Sequence, residues 1–350
     1  MYDQIRSALK VWYAQQGREL PWRGVGDPYK VWLSEIILQQ TRVVQGTPYY
    51  FAFTKAFPSV KDLANASEQE VLNLWQGLGY YSRARNLHAA AKYIVEDLDG
   101  VFPASYKELL KMKGVGDYTA SAIASIIYGE PKAVIDGNVF RVIARLFMVE
   151  DNIADAKSRP VFATIADELL DKENPGDFNQ AMMDFGALQC APKPMCSNCP
   201  LQEYCMAYKE GKQEQLPIKV KNLKRTKRYF HYFHLTDEHG TWLRERTKKD
   251  IWKGLYEFPL LETNSEEFPV KELSALHLEG TKKDFPVLFK KVHKLSHRDI
   301  IGTFYRGSSP ARLEGYKLVS AKEFDSYPVS RLIDEYLHSQ EMPKPPSLFG

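Results

Sequence analysis

Cysteine is scarce in this 350-residue chain: there are four, and none lies outside residues 190–205. That excludes a disulfide-stapled secreted scaffold, whose cysteines must be spread out to tie distant segments together. Long apolar runs are missing too, and none approaches the roughly 20 residues that cross a bilayer. The first ten residues lack the charged-then-apolar order of a secretion signal. Neither sign of charge is in large excess. Lys and Arg total 47 against 44 Asp and Glu, and a net charge of +3 identifies no partner. With 44% hydrophobic and 26% charged residues, the composition is that of an ordinary globular protein. The length predicts two domains. The expected setting is a bacterial cytoplasm, with no membrane association.

What is present divides the chain in two. Ile5, Leu9, Trp12 and Tyr13 recur at helical spacing and Gly17 follows as a stop. The pattern predicts further helices over 29–45, 83–98 and 139–147, and on both sides of Gly114, Val115 and Gly116. Ser67 and Glu70 have the spacing of a capping box. Residues 1–210 therefore read as all-α. Residues 212–228 hold seven basic residues and one acidic residue, Glu214, which predicts a linker over 211–228. Beyond it, 229–235, 241–246, 287–292 and 300–306 alternate like strands, and Leu332, Ile333, Tyr336 and Leu337 mark a late helix. The second domain, 229–341, is expected to be α+β. Residues 342–350, with three prolines, read as a flexible tail. There is no internal repeat.

Five groups of residues carry chemistry. Gly114 and Gly116 make a tight hairpin before the small-residue helix that starts near Asp117. The free N–H groups and dipole of such a helix can hold a phosphate oxygen. A bare pair of glycines is also what an ordinary helix connection uses. Asp136, with Gly137 and Asn138, follows the apolar Ala133, Val134 and Ile135, and alone would be a helix N-cap. A carboxylate there could also stabilise positive charge on a sugar. Glu35 stands among Trp32, Ile36, Ile37 and Leu38, where an apolar helix face would raise its pKa and let it act as an acid. Gln39 and Gln40 follow as a polar pair, suited to a solvated face or to insertion into a base stack. Tyr80 and Tyr81 lie in a glycine-rich turn beside Arg83 and Arg85, a composition that suits wedging and backbone contact. Last, Cys190, Cys196, Cys199 and Cys205 could ligate one centre. Their spacing leaves zinc and an iron–sulfur cluster both open.

In combination these stretches, with Phe178, Asn179, Gln180, Asp184 and Gly186 downstream, resemble the MutY family over most of residues 5–210. The resemblance implies a helix–hairpin–helix glycosylase domain, with the hairpin at about 107–127 and the cluster loop at 190–205. It implies a 4Fe-4S cluster on the four cysteines. Glu35 would be the general acid and Asp136 the stabiliser of an oxocarbenium-like sugar, with Tyr118 and Asn138 as helpers. Trp22, Arg23, Leu38 and Asp184 would line the adenine pocket. Gln40 and Tyr80 would intercalate, and Gly114, Gly116, Arg83 and Arg85 would meet the DNA backbone. Endonuclease III, a related enzyme, has lysine where this chain has Tyr118. Tyrosine cannot form a Schiff base, so a monofunctional glycosylase is expected, without lyase activity. The gap between the first two cysteines is five residues where the family usually has six.

The second domain more loosely resembles the Nudix-like C-terminal domain of that family. There Ser296 and His297, after Leu295, would read 8-oxoguanine. No glutamate-dense helix suited to magnesium occurs, so nucleotide hydrolysis is not expected. The implied partner is double-stranded DNA with adenine opposite 8-oxoguanine or guanine, bound by a monomer. Ser347, Leu348 and Phe349 loosely resemble a sliding-clamp-binding peptide. The alternatives are an endonuclease III-like glycosylase/lyase, a non-catalytic lesion-binding protein and a structural zinc site.

Overall fold

The structure is a computed structural model and describes residues 1–220 and 225–340. The expected tail with its clamp-like peptide, from 342 onward, lies outside the described residues, as does part of the expected linker. The N-terminal part is helical: α1 Tyr2–Gln16, α2 Pro28–Leu38, α3 Val43–Ala56, α4 Val60–Asn65, α5 Glu68–Leu74, α6 Ser82–Asp97, α7 Tyr106–Leu109, α8 Asp117–Tyr128, α9 Gly137–Phe147, α10 Arg159–Leu169, α11 Pro175–Leu188 and α12 Met206–Lys209. Among the described residues seven strands follow: β1 Thr226–Thr236, β2 Thr241–Glu245, β3 Tyr256–Glu257, β4 Leu260–Thr263, β5 Val287–Lys294, β6 Arg298–Ser308 and β7 Lys317–Val319. Helix α13, Arg331–Ser339, closes the described chain. This is the expected class: an all-α domain and an α+β domain. Among the described residues no helix is long and apolar enough to cross a membrane.

The chain forms two compact units, and they are not simply its two halves. One comprises Met1–Tyr50, Thr54–Ala64 and Ala89–Asn222. The other comprises Phe51–Phe53, Asn65–His88 and Leu223–Gly350. In the first, Ile5, Leu9 and Trp12 of α1 pack with Val139, Val142 and Ile143 of α9, Phe162 of α10 and Phe185 of α11. These residues recur at the i, i+3, i+4 spacing that puts one helix face in a core. Leu216 is also buried here, and the Ile218 carbonyl accepts from Ile153 N–H at 3.0 Å. The first half of the expected linker is thus packed, because it carries apolar residues with partners, and residues 226–228 already belong to β1.

The second unit is built on a mixed sheet in the order β3-β2-β1-β6-β5, with β4 on β1 and β7 on β2. Strand β1 runs parallel to β6, with Phe230 opposite Gly302 and Tyr232 opposite Phe304. Its side chains alternate between two cores. Phe230 and Tyr232 meet Leu332, Ile333 and Tyr336 of α13. Phe233 and Leu235 meet Phe268, Leu273 and Phe285. Both faces of β1 are covered, so it is a central strand.

One expected helix is divided. The 29–45 pattern is broken after Leu38, and Gln40 takes a left-handed backbone with φ 57°. The Thr41 N–H closes the turn on the Leu38 carbonyl at 3.0 Å. Gln39 and Gln40 therefore lie in a turn, not on a helix. Likewise the first helix of the hairpin is a single turn, Tyr106–Leu109.

Candidate active site

Three helices of the first unit bring Glu35, Tyr118 and Asp136 together. Glu35 lies in α2, whose residues Val31 to Ile37 are all buried, and is itself 8% exposed. Burial strips water from its carboxylate and pushes the pKa up to about 7. A hydrogen bond from Tyr118 pulls it down, the Asp136 charge pushes it up, and the Arg23 charge pulls it down. Tyr118, in the first turn of α8, is raised well above the ordinary tyrosine value by burial and by the charges of Glu35 and Asp136.

Asp136 is the N-cap of α9. Its carboxylate accepts from the N–H groups of Asn138 at 2.8 Å and Val139 at 2.7 Å, and from the Asn138 side chain at 2.7 Å. Burial raises its pKa against the opposing pull of those bonds. Capping and a fixed anion are thus one structure: the bonds that start the helix also aim the carboxylate. Asn138 is held in turn by Arg141, whose Nη2 donates to Asn138 Oδ1 at 2.8 Å.

Asp184, in α11, is fully buried and accepts from the Arg18 backbone N–H, Nε and Nη2 and from Arg23 Nη1 and Nη2. Burial opposes its charge, but the bonds from Arg23 and Arg18 outweigh it and hold the carboxyl below its usual range. With its oxygens so engaged, Asp184 ties the 18–23 loop to α11. Trp22 is 6% exposed and meets Tyr50 edge-on at 5.1 Å. Leu38 is half-buried at the end of α2, and Gln40 is exposed.

The hairpin turns at Gly114, where φ is 83° and only glycine is unstrained. Gly116 is the N-cap of α8 and has no side chain to bond the first N–H groups, which stay open to an outside anion.

Within the second unit, Tyr80 is 51% exposed, with φ 49°. Its hydroxyl lies 3.1 Å from that of Ser296, which with His297 is exposed in the turn between β5 and β6. Arg83, by contrast, is 8% exposed. Its guanidinium lies over Trp75 at 5.0 Å and over Tyr80 at 5.7 Å, and donates to the Gly79 carbonyl at 3.2 Å. This corrects its expected place on the surface, since ring and carbonyl contacts bury it under the turn. Arg85 is half-buried and donates to the Lys253 carbonyl.

All four cysteines line one cavity in the first unit, with Arg145, Val142, Phe185 and Leu201. None of the four is joined in a disulfide. Burial pushes Cys199 up to about 11, and raises Cys196 and Cys205 too, so thiolates here call for a bound cation. The donor set fits an iron–sulfur cluster. Among the described residues no three or more such groups are drawn together as around a single ion.

Sequence reading missed Arg18, Arg141 and Arg145, and gave Asn179 no role of its own. Asn179 holds the approach to Asp136, with its side chain bonded to Val134 N–H at 3.0 Å and to the Lys132 carbonyl at 2.8 Å. Arg141 and Arg145 stand one turn apart on α9. They donate to the Cys190 carbonyl at 2.8 and 3.2 Å. That i, i+4 pair downstream of Asp136 was the available signal.

The helical region matches the family model described as HhH-GPD superfamily base excision DNA repair protein over residues 33–165. Residues 231–339 match that of the NUDIX domain. A solved thermostable thymine-DNA glycosylase is similar at a TM-score of 0.56 and 28% identity, over 60% of this chain and 97% of that one. The fold is thus that of the helix–hairpin–helix base-excision repair class. An adenine DNA glycosylase of Buchnera aphidicola is 37% identical, with 82% of this chain and 81% of the relative covered. The human adenine DNA glycosylase is 42% identical over 61% of this chain and 41% of its own. The chain belongs to the adenine DNA glycosylase family, known as MutY.

Proposed function

We propose that this protein excises adenine mispaired with 8-oxoguanine or guanine in duplex DNA, as a monofunctional glycosylase. The observation that carries the reading is the pairing of a buried, protonatable Glu35 with the aimed carboxylate of Asp136. Adenine leaves poorly until a ring nitrogen is protonated, and Glu35 is an acid poised near neutral pH. The adenine is flipped out of the stack into a pocket that Trp22, Arg23, Leu38 and Asp184 would line. Glu35 hands its proton to the base, and the N-glycosidic bond breaks with its electron pair leaving on adenine. Asp136 stabilises the cationic sugar, water adds, and an abasic site results. Tyr118 has no amine with which to attack the sugar, which supports the absence of strand cleavage.

Gln40 and Tyr80 fill the space left in the stack. Both are exposed on left-handed turns that push them outward. Ser296 and His297 read 8-oxoguanine, and Gly114 and Gly116 take a phosphate at the start of α8. The four cysteines hold a 4Fe-4S cluster, which in this reading fixes the 190–205 loop against α9. Iron and acid-labile sulfide in the purified protein are expected, and zinc in their place would remove the cluster.

Single-turnover excision on duplexes with adenine opposite 8-oxoguanine, guanine, thymine or cytosine tests the reading. Alkali-dependent cleavage, fastest opposite 8-oxoguanine, is expected, and Glu35→Gln should bind but not cut. Release from no duplex, or wild-type rates in Glu35→Gln, would overturn it.

A further inference from the structure

The Tyr118 hydroxyl has one proton and two neighbours that can take it. One is the Glu35 carboxyl, whose proton affinity the hydroxyl lowers. The other is the Met183 thioether, with 3.5 Å between oxygen and Sδ. The three side chains come from α2, α8 and α11. Glu35 is buried, while Tyr118 and Met183 are half-buried. Sulfur is a weak acceptor, and a carboxylate is a strong one. The better partner for the hydroxyl therefore depends on where the Glu35 proton is.

With Glu35 ionised, the tyrosine O–H is drawn to the carboxylate. With Glu35 protonated, that pull falls away, and Glu35 can offer its own O–H to the phenolic oxygen. The tyrosine proton then needs another acceptor, and the sulfur supplies it. We propose that Met183 is a positioning residue for proton delivery: its thioether holds the Tyr118 hydrogen while Glu35 keeps its proton, and releases it as Glu35 gives that proton up. The step balances. One proton leaves Glu35 for the base, the tyrosine O–H rotates from sulfur to the new carboxylate, and no other bond changes. A weak acceptor suits the task, because a strong one would not let go. The inference rests on Glu35 being the proton donor.

Other charged groups act on the same pair. Asp136 faces it from the start of α9, Arg23 and Arg18 from the loop before α2, and Asp184 from α11 holds both arginines. None is altered by a change at Met183, so a pH profile isolates the sulfur.

The test is single-turnover excision of adenine opposite 8-oxoguanine across pH, with the full chain as wild type, Met183→Leu, Met183→Gln and Glu35→Gln. Leucine keeps the volume and removes the acceptor. Its falling limb should move to lower pH by about half a unit to one unit, the worth of one modest hydrogen bond. Glutamine restores an acceptor of similar reach, and its limb should return to the wild-type position or beyond it. Superposed profiles for Met183→Leu and wild type would overturn the inference. Equal shifts in both variants would assign the effect to packing and overturn it as well. If Glu35→Gln cuts at the wild-type rate, the acid assignment fails and takes the inference with it. If Glu35→Gln is dead and Met183→Leu unshifted, only the role of Met183 fails. Thermal midpoints of both Met183 variants separate misfolding from chemistry.

Discussion

Gly186 and Asn138 meet without room for a methyl group. A Cβ on Gly186 would lie 2.6 Å from the Asn138 Cβ and 2.9 Å from its carbonyl oxygen. Helix α11 thus lies directly against the first turn of α9, which carries Asp136. Gly186→Ala should cost about 1–3 kcal/mol, as overpacking does, and should lower the excision rate by displacing Asp136. Denaturant unfolding and single-turnover rates check the two effects. An alanine variant as stable and active as wild type would show that the turn can shift freely.

Glu35 makes stability depend on pH in a definite direction. Its folded pKa is about 7, against about 4.5 for an ordinary glutamate. The folded state therefore holds a proton that the unfolded chain gives up between those values. The contribution is fully present below pH 4.5 and is lost as pH rises through 7. Glu35→Gln removes the dependence. Relative to wild type, the variant should gain stability between pH 5 and 8, by up to roughly 3 kcal/mol. Parallel stability curves for the two proteins would rule out a buried neutral acid.

Arg23 and Asp184 give the opposite sign. The Asp184 carboxyl lies below its usual range, so its contribution is present above the ordinary aspartate pKa and lost as pH falls through the lowered one. Arg23→Ala leaves Arg18 to neutralise a fully buried carboxylate alone. A loss of about 3 kcal/mol is expected, with a rise in the Asp184 pKa that carbon-detected NMR can follow. A loss within error would mean that Arg18 suffices.

Asp250 anchors the turn assigned to lesion reading. It accepts from Arg228 at 2.9 Å, from Arg246 at 3.3 Å and from Arg298 at 3.4 Å, directly after His297. Its bonds with Arg228 hold its pKa down to about 2, against the opposing effect of burial. Asp250→Asn should loosen Arg298 and reduce the preference for 8-oxoguanine over guanine by about threefold or more. Adenine excision opposite guanine should be unchanged. Equal losses on both duplexes would place the effect outside recognition.

The candidate site was legible in the sequence where chemistry and periodicity coincide. Glu35 stands out because its neighbours are apolar at helical spacing, and Asp136 because an N-cap follows an apolar run. Arg18 was illegible because its partner lies 166 residues away and no local pattern records the pair. The break at Gln40 was hidden because neither glutamine is a helix breaker, and the turn is set by what Thr41 bonds. Strands as short as Tyr256–Glu257 and Lys317–Val319 have no alternation to read. Arg83 was misplaced because composition cannot tell a guanidinium on a surface from one lying over Trp75.

The grouping of residues 65–88 with the C-terminal residues bears on how the chain can be cut. Gln69 and Asn73 donate side-chain hydrogens to the Ser326 carbonyl, and the Tyr81 hydroxyl donates to that of Val329. Arg85 reaches the Lys253 carbonyl in the same way. A fragment ending near residue 222 would take these donors without their acceptors, and with them the turn that carries Tyr80. It would be a module with one wall open, and its behaviour should not be equated with that of the helical part of the intact protein. Grafting or swapping the C-terminal portion would need residues 65–88 to travel with it.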